Sequence, residues 1–183
     1  IKRNQRKFEG QLRIPQREYK QRESHYFQGR RYLLNIVETE STPKIVLRSK
    51  KFIDLHVRPD TPTSKRHEIL TEWYRVQLKI QIPAIIAKWE KILKIKVEDW
   101  RVQQMKTKWG SCNIGKKRIW VNLELAKKPE HCLEYIIVHE MVHLLERHHN
   151  DRFLYYMDTH LPGWRQLKTE LNKLPVSHAD WSY

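Results

Sequence analysis

The sequence predicts an α+β fold, because runs typical of strands and runs typical of helices occupy separate stretches of the 183-residue chain. Three observations support this class. Short runs rich in β-branched and aromatic residues lie near the N-terminus, a long stretch of helical periodicity follows, and an apolar helical stretch with an H-E-x-x-H motif lies in the C-terminal half. The length suits one domain, with or without an appendage.

Residues 1–24 are polar and basic and lack a clean hydrophobic period, so we predict a loosely packed N-terminal arm there and a single domain over 25–183. Within 25–60, the runs "GRRYLLNIVE", "KIVLRS" and "KFIDLHVRP" are separated by "TESTP" and "SK". This pattern predicts an antiparallel β meander. In the last run, Ile53, Leu55 and Val57 form one face of the strand.

A long helix is predicted after residue 62, at the start of a core region that extends over 63–183. Its apolar residues recur at helical spacing and are Ile69, Trp73, Val76, Ile80, Ile82, Ile85, Ile86, Trp89, Ile92 and Leu93. Such a stripe indicates core packing. Pro83 lies inside the run and removes a backbone donor, so we expect a kinked helix or two abutting helices.

A second sheet segment and three further helices are predicted for the rest of the chain. Residues 99–108 and 118–123 would pair as a β hairpin, with its turn at 113–115. Pro129 and Glu130 suit the start of the motif helix. Asn150 or Asp151 would cap the next helix, and Pro162 and Gly163 would end it before a last helix over 164–174.

The H-E-x-x-H motif comprises His139, Glu140 and His143. On a helix, positions i and i+4 lie on one face, so the two imidazoles can reach one Zn²⁺ ion. Glu140 lies about 100° around the helix, where it suits the general base that activates water. The surrounding helix is apolar nearly all round, and burying these groups is costly unless they are paired or bind metal. The alternative is a pair of hydrogen-bonded core histidines.

The third metal ligand cannot come from a straight continuation of this helix, because that would place His149 about 15 Å up the axis and His148 on the opposite face. The chain must therefore leave the helix after about Leu145 and double back. The metzincin pattern has Gly where Glu146 stands here, so the turn must be made differently. Spacing slightly favours His149. The competing design takes a carboxylate from a later helix, with Asp158 and Glu170 as its candidates.

The amino-acid composition limits which molecules the protein can bind and in which cellular compartment it is expected. The chain has 36 Lys and Arg against 21 Asp and Glu, a net charge of +15, which favours association with anions. Its two cysteines do not make a disulfide framework, and reduced thiols are typical of cytosolic proteins. No signal peptide and no apolar run of membrane-spanning length is visible. We expect a cytoplasmic protein without membrane association.

Several motifs together resemble the YgjP-like family of metal-dependent hydrolases. They are "KTKWGSC", "RIWVNLEL", "YIIVHEMVHLLERHHNDRF" and "LPGWRQLKTELN", and the resemblance covers most of residues 26–174. It implies a zincin-like fold related to the SprT-like proteases. It also implies that the third ligand is the histidine six residues past the second motif histidine, which is His149 here.

The resemblance implies either peptidase activity or hydrolysis of nucleotide phosphoanhydrides. For a peptidase, the stretch 105–109 is the expected edge strand for strand addition by a peptide. The same hairpin carries a cluster of basic residues that would suit phosphates or a nucleic-acid backbone; they are Lys106, Lys108, Lys116, Lys117 and Arg118.

We therefore expect a zinc-dependent hydrolase, first of all a metallopeptidase, with one Zn²⁺ per chain bound by His139, His143 and His149 and with Glu140 as general base. The alternatives are a nucleoside triphosphate hydrolase on the same site, and a nucleic-acid-associated binding module or DNA-linked protease. The corresponding partners are a peptide or protein, a nucleotide, and nucleic acid bound through the basic surface. Candidate substrate-binding residues are Lys108, Trp109, Asn122, Tyr156, His160 and Arg165.

Overall fold

The computed structural model describes residues 13–14, 17–173 and 176–177. The chain forms nine strands and four α-helices within these residues, together with one 3-10 helix. In chain order they are β1 (Arg13–Ile14), β2 (Ser24–Phe27), β3 (Arg30–Glu38), β4 (Lys44–Leu47), β5 (Phe52–Val57), α1 (Thr63–Leu93), β6 (Asp99–Gln103), β7 (Gly110–Asn113), β8 (Arg118–Asn122), the 3-10 helix (Leu123–Lys127), α2 (Glu130–Val142), α3 (Asp151–His160), α4 (Trp164–Lys173) and β9 (Val176–Ser177). The α+β class is confirmed.

The N-terminal sheet has the strand order β2-β3-β5-β4, and β3 and β5 run parallel. The predicted antiparallel meander is therefore wrong in this pairing, although β2 with β3 and β4 with β5 are antiparallel. Burial explains the order. Leu34 of β3 and Ile53 and Leu55 of β5 are fully buried, whereas β4 is mostly exposed. The two most apolar strands pair at the centre, and β4 takes the edge.

Helix α1 runs unbroken through Pro83, so two abutting helices are excluded, and the kink stays a prediction. Its buried face is Leu70, Tyr74, Leu78, Ile82, Ile86, Trp89 and Leu93. The predicted stripe is thus wrong at Val76 and Ile80 in the first half of the helix, which are 42% and 66% exposed, whereas the predicted Ile69 and Trp73 are partly buried against the core. Two neighbouring apolar stripes compete there, and periodicity alone cannot choose between them.

The second sheet has the order β6-β8-β7, with β6 parallel to β8 and β7 antiparallel to it. The predicted strand over 99–108 is wrong, because it is divided into β6 and a loop at 104–109 that leads into β7. The hairpin is formed by β7 and β8, and its turn covers 114–117. This arrangement makes β7 the edge strand beside the motif helix.

Helix α2 is buried on nearly all sides, between the second sheet, α1 and α4. Trp89 of α1 donates its indole N–H to the Glu134 carboxylate of α2 at 2.8 Å. Tyr74 of α1 donates to the backbone carbonyl of Tyr26 at 2.7 Å, which joins α1 to the N-terminal sheet. The long helix therefore links both sheets to the motif helix.

The predicted basic arm lies partly outside the described residues, which begin at 13–14 and continue from 17. Over 17–23 the chain packs on the fold: the Arg22 N–H donates to the Leu34 carbonyl at 2.8 Å, and Tyr19 stacks on His67 at 5.2 Å between ring centroids. In the described part of the chain, no helix has both the length and the apolar character to cross a bilayer.

Candidate metal centre

The motif helix ends at Val142, three residues before the expected end near Leu145, and a tight turn continues it to Leu145. Helix α2 stops at Val142, and the Leu144 and Leu145 N–H groups donate to the carbonyls of Met141 and Val142 at 3.0 and 2.9 Å. These i→i+3 bonds tighten the last turn. The chain then reverses, and the Glu146 carboxylate accepts from the His148 N–H at 3.2 Å. A Glu side chain thus holds the turn where the metzincin pattern has Gly.

Helix α3 begins directly after this reversal. The Asn150 side chain caps it by accepting from the Phe153 N–H at 3.1 Å, which is a standard N-cap bond. The cap fixes the direction of the residue before it, His149. The imidazole of His149 is thereby turned back over the end of α2.

Three imidazoles converge at this point. One ligand nitrogen from each of His139, His143 and His149 lies within 4.8 Å of the other two. The Nε2 atoms of His139 and His149 are 3.0 Å apart, close to the separation of about 3.3 Å that two nitrogens take at a tetrahedral zinc ion. Phe153 is fully buried, and its ring centroid lies 4.6–5.0 Å from all three imidazole centroids. It forms the apolar floor of the cluster.

The protonation of these rings suits metal binding. Nδ1 of His143 lies 3.1 Å from the Glu146 carbonyl, which places the proton on Nδ1 and leaves Nε2 free as a ligand. Burial lowers the pKa of His139 to about 3 and is also the main cause that lowers the pKa values of His143 and His149. All three rings are neutral at pH 7, as a metal ligand must be, so the donor set fits a divalent metal ion.

Glu140 follows His139 in α2 and is only 6% exposed. Burial raises the pKa of its carboxyl group to about 7, against the opposing charge of Lys108. Strand β7 passes directly beside it, since a Cβ placed on Gly110 would lie 2.7 Å from Oε1 of Glu140 and 2.8 Å from its Cγ. The carboxylate therefore occupies a space that only a glycine leaves open.

Asn122 does not face a substrate space. It is 4% exposed, and its amide N–H groups donate to the carbonyls of Met105 and Lys108 at 2.9 and 2.7 Å. Its Oδ1 accepts from the Glu124 N–H at 3.1 Å. These bonds hold the 104–109 loop that leads into Gly110, so Asn122 positions the wall of the site rather than contacting a substrate.

The other predicted substrate residues fall into two groups. Lys108 is near enough to influence Glu140, and the neighbouring Trp109 packs partly against the core. The three residues on α3 and α4 are engaged with one another or with neighbours: Tyr156 stacks on His160 at 6.4 Å, and Arg165 forms an ion pair with Asp158. None of these three is in the histidine cluster.

The alternative third ligands are also placed elsewhere. Asp158 accepts from Arg165 and from the Trp164 indole N–H, and Glu170 pairs with His131 at 2.8 Å. His148 and His149 are both exposed, but only His149 is in the imidazole cluster. Sequence reasoning missed Lys168 of α4, whose charge helps to lower the pKa values of His139 and His149. No motif marks it, because only the packing of α4 on α2 brings it near.

A cleft of about 610 Å³ adjoins the second motif histidine. Its walls come from the end of β7 with the following turn and from the chain just after α2. The lining residues are Cys112, Ile114, Gly115, His143, Leu144, Leu145 and Arg147. The cleft combines an apolar wall with one cationic side chain, next to the candidate metal position.

The chain is similar to a known family of metallopeptidases. The family model described as "YgjP-like, metallopeptidase domain" matches residues 1–174. Among solved structures, the metallopeptidase zymogen of Pyrococcus abyssi abylysin is similar at 18% identity and a TM-score of 0.45, over 52% of this chain and 99% of that one. No curated protein sequence matches. Because the family model spans nearly the whole chain, this protein belongs to the YgjP-like metallopeptidase family.

Proposed function

We propose that the chain is a zinc-dependent peptidase in which His139, His143 and His149 bind the metal and Glu140 is the general base. The observation that carries the proposal is the convergence of three neutral imidazoles within 4.8 Å. Three nitrogen donors with a fourth position open are typical of catalytic zinc sites. When bound there, the metal ion would supply Lewis-acid chemistry.

Glu140 performs the proton transfers in this proposal. A carboxyl group with a pKa of about 7 can both take and return a proton near neutral pH. As the oxygen of a water molecule bonds to the peptide carbonyl carbon, Glu140 accepts one proton of that water. The C–N bond then breaks, and Glu140 returns the proton to the leaving nitrogen.

Strand β7 would hold the peptide. It is the edge strand of the second sheet and starts at Gly110, beside Glu140. An extended peptide can add to such an edge through backbone hydrogen bonds. In this role β7 replaces the stretch 105–109 that the sequence indicated. The cleft beyond its end, with Ile114, Leu144 and Leu145 in its wall, is suited to an apolar side chain of the substrate.

The first test compares Glu140→Gln, His149→Ala and His148→Ala with the wild type, using metal content and cleavage of an unfolded protein substrate. We expect Glu140→Gln to keep the metal and lose at least about 100-fold in kcat, because it removes the base and keeps the shape. His149→Ala should lose the metal, whereas the exposed neighbour His148→Ala should keep both metal and activity. Full activity in Glu140→Gln, or metal loss in His148→Ala alone, would contradict the proposal.

The nucleotide and nucleic-acid alternatives rest on the basic cluster of the β7–β8 hairpin and its preceding loop. Within this cluster, Arg118 forms a salt bridge with Asp99 at 2.5 Å, and Lys106 also interacts with another part of the protein. Both alternatives stay predictions. Phosphate release from nucleoside triphosphates that is lost in Glu140→Gln would favour the first, and salt-sensitive DNA binding that survives metal removal would favour the second.

A further inference from the structure

A second group of metal-ligating side chains lies between the first turn of α2 and helix α4. His131, Cys132 and Glu170 each offer one ligand atom, and these three atoms lie within 4.8 Å of one another. His131 Nε2 and Glu170 Oε2 are 2.8 Å apart. Over the described ranges of the chain, only this group and the histidine cluster bring three such donors together.

The three donors approach the same point from different sides. His131 and Cys132 are successive residues of α2 and point about 100° apart around the helix. The Cys132 side chain is fully buried and forms no disulfide, while those of His131 and Glu170 are 48% and 43% exposed. A metal ion could therefore enter from the solvent side, where the imidazole and the carboxylate are accessible. From there it could bind the buried Cys132 thiol.

The donor chemistry selects the kind of ion. A thiolate, an imidazole and a carboxylate form a mixed set that suits Zn²⁺ and its substitute Co²⁺, whereas Mg²⁺ and Ca²⁺ prefer oxygen donors alone. A bare His–Glu pair this exposed would contribute little to stability. The buried thiol beside the pair distinguishes this group from an ordinary surface ion pair.

We propose that His131, Cys132 and Glu170 form a second metal site, separate from the histidine cluster, that binds Zn²⁺ and fastens α4 to α2. On binding, the Cys132 S–H bond breaks, its proton passes to solvent, and the thiolate bonds to the metal without any change in oxidation state. Helix α4 carries Trp164, which stacks on Tyr135 at 6.4 Å, and Tyr135 contacts His139 at 6.0 Å. Metal binding at the second site would thus stabilise the position of Trp164 and Tyr135 beside His139 of the histidine cluster.

The test is a titration of the metal-free full chain with Co²⁺. We expect two equivalents to bind, one of which produces a thiolate-to-cobalt charge-transfer band in the near ultraviolet. The histidine cluster has only nitrogen donors, so this band belongs to a cysteine site. Cys132→Ser should abolish the band, whereas Cys112→Ser, which changes the other cysteine, should retain it.

Two exposed variants decide the matter even if Cys132→Ser fails to fold. His131→Ala and Glu170→Gln should each weaken the cysteine-linked equivalent by about tenfold or more, while the exposed-histidine control His67→Ala should titrate like the wild type. The second equivalent of Zn²⁺ should also raise Tm in the wild type more than in Glu170→Gln. Absence of the band in the wild type, its loss in Cys112→Ser only, or wild-type titrations of both exposed variants would overturn the proposal.

Discussion

The position of the Glu140 carboxylate depends on a residue that has no side chain. Gly110 faces Glu140 and Ile136 so closely that an added Cβ would lie 2.7–2.9 Å from their atoms. Contacts this short force a displacement. Glu140 is the more movable of the two neighbours, because its side chain is unbranched and has more rotatable bonds than the β-branched Ile136.

We therefore expect Gly110→Ala to move the carboxylate and lower kcat by about tenfold or more, since misplacement of a catalytic group by about 1 Å is costly. Zinc content should stay at the wild-type level, because the imidazoles are unaffected. The matched control is Gly115→Ala in the following turn, where an added Cβ would meet only Asn113 at 3.7 Å. Because Gly115 lines the proposed substrate cleft, this variant is compared in kcat, which it should keep, and not in KM. Equal activities of the two variants would contradict this assignment.

Among the elements, the reversal between α2 and α3 decides whether a third ligand exists. It is built from the tightened last turn of α2, the Glu146 carboxylate on the His148 N–H, and the Asn150 cap of α3. Each of these is a local hydrogen bond. The direction of His149 depends on all of them.

Asn150→Ala should cost about 1 kcal/mol of unfolding free energy, as the loss of an N-cap typically does. It should also weaken zinc binding, because the residue adjacent to His149 is no longer fixed. Asn150→Asp should behave nearly as the wild type, since Asp caps equally well. Urea unfolding with and without zinc measures both effects. Unchanged zinc affinity in Asn150→Ala would show that the helix cap does not orient His149 for zinc binding.

For the whole molecule, buried neutral histidines link stability to pH. Burial lowers the pKa of His25 to about 3, even though its Nε2 lies 3.0 Å from the Glu23 carboxylate, and it lowers that of His139 equally. The unfolded chain takes up these protons near pH 6.5, whereas the folded chain does not. Unfolding therefore becomes easier as the pH falls from about 6.5 towards 3.

The metal-free protein should lose on the order of a few kcal/mol over this range, since one pKa unit corresponds to about 1.4 kcal/mol. His25→Gln should flatten the acid side of the profile, because it removes one of these protonation sites without touching the metal centre. Urea midpoints measured between pH 4 and 8 in the presence of chelator test this, and an unaltered profile in His25→Gln would contradict it.

Local sequence signals predicted the elements that depend on local physics. The H-E-x-x-H helix, the Asn150 cap and the alternation of Ile53, Leu55 and Val57 all follow from nearest-neighbour patterns, and the structure has them. Features that depend on competition between distant segments were missed. The parallel pairing of β3 with β5, the buried face of the first half of α1 and the division of 99–108 all belong to this kind.

The sequence by itself thus determined the class of fold, the motif helix and the requirement that the chain reverse after it, because helix geometry allows no other way for a third histidine to reach the first two. Only the tertiary structure decided which strand forms the edge, which residues position Glu140 and which donors from separate helices meet. These depend on contacts such as Gly110 with Glu140 and His131 with Glu170. Tertiary packing brings such residues together across long sequence separations, and the local periodicity of the sequence does not predict which residues will meet.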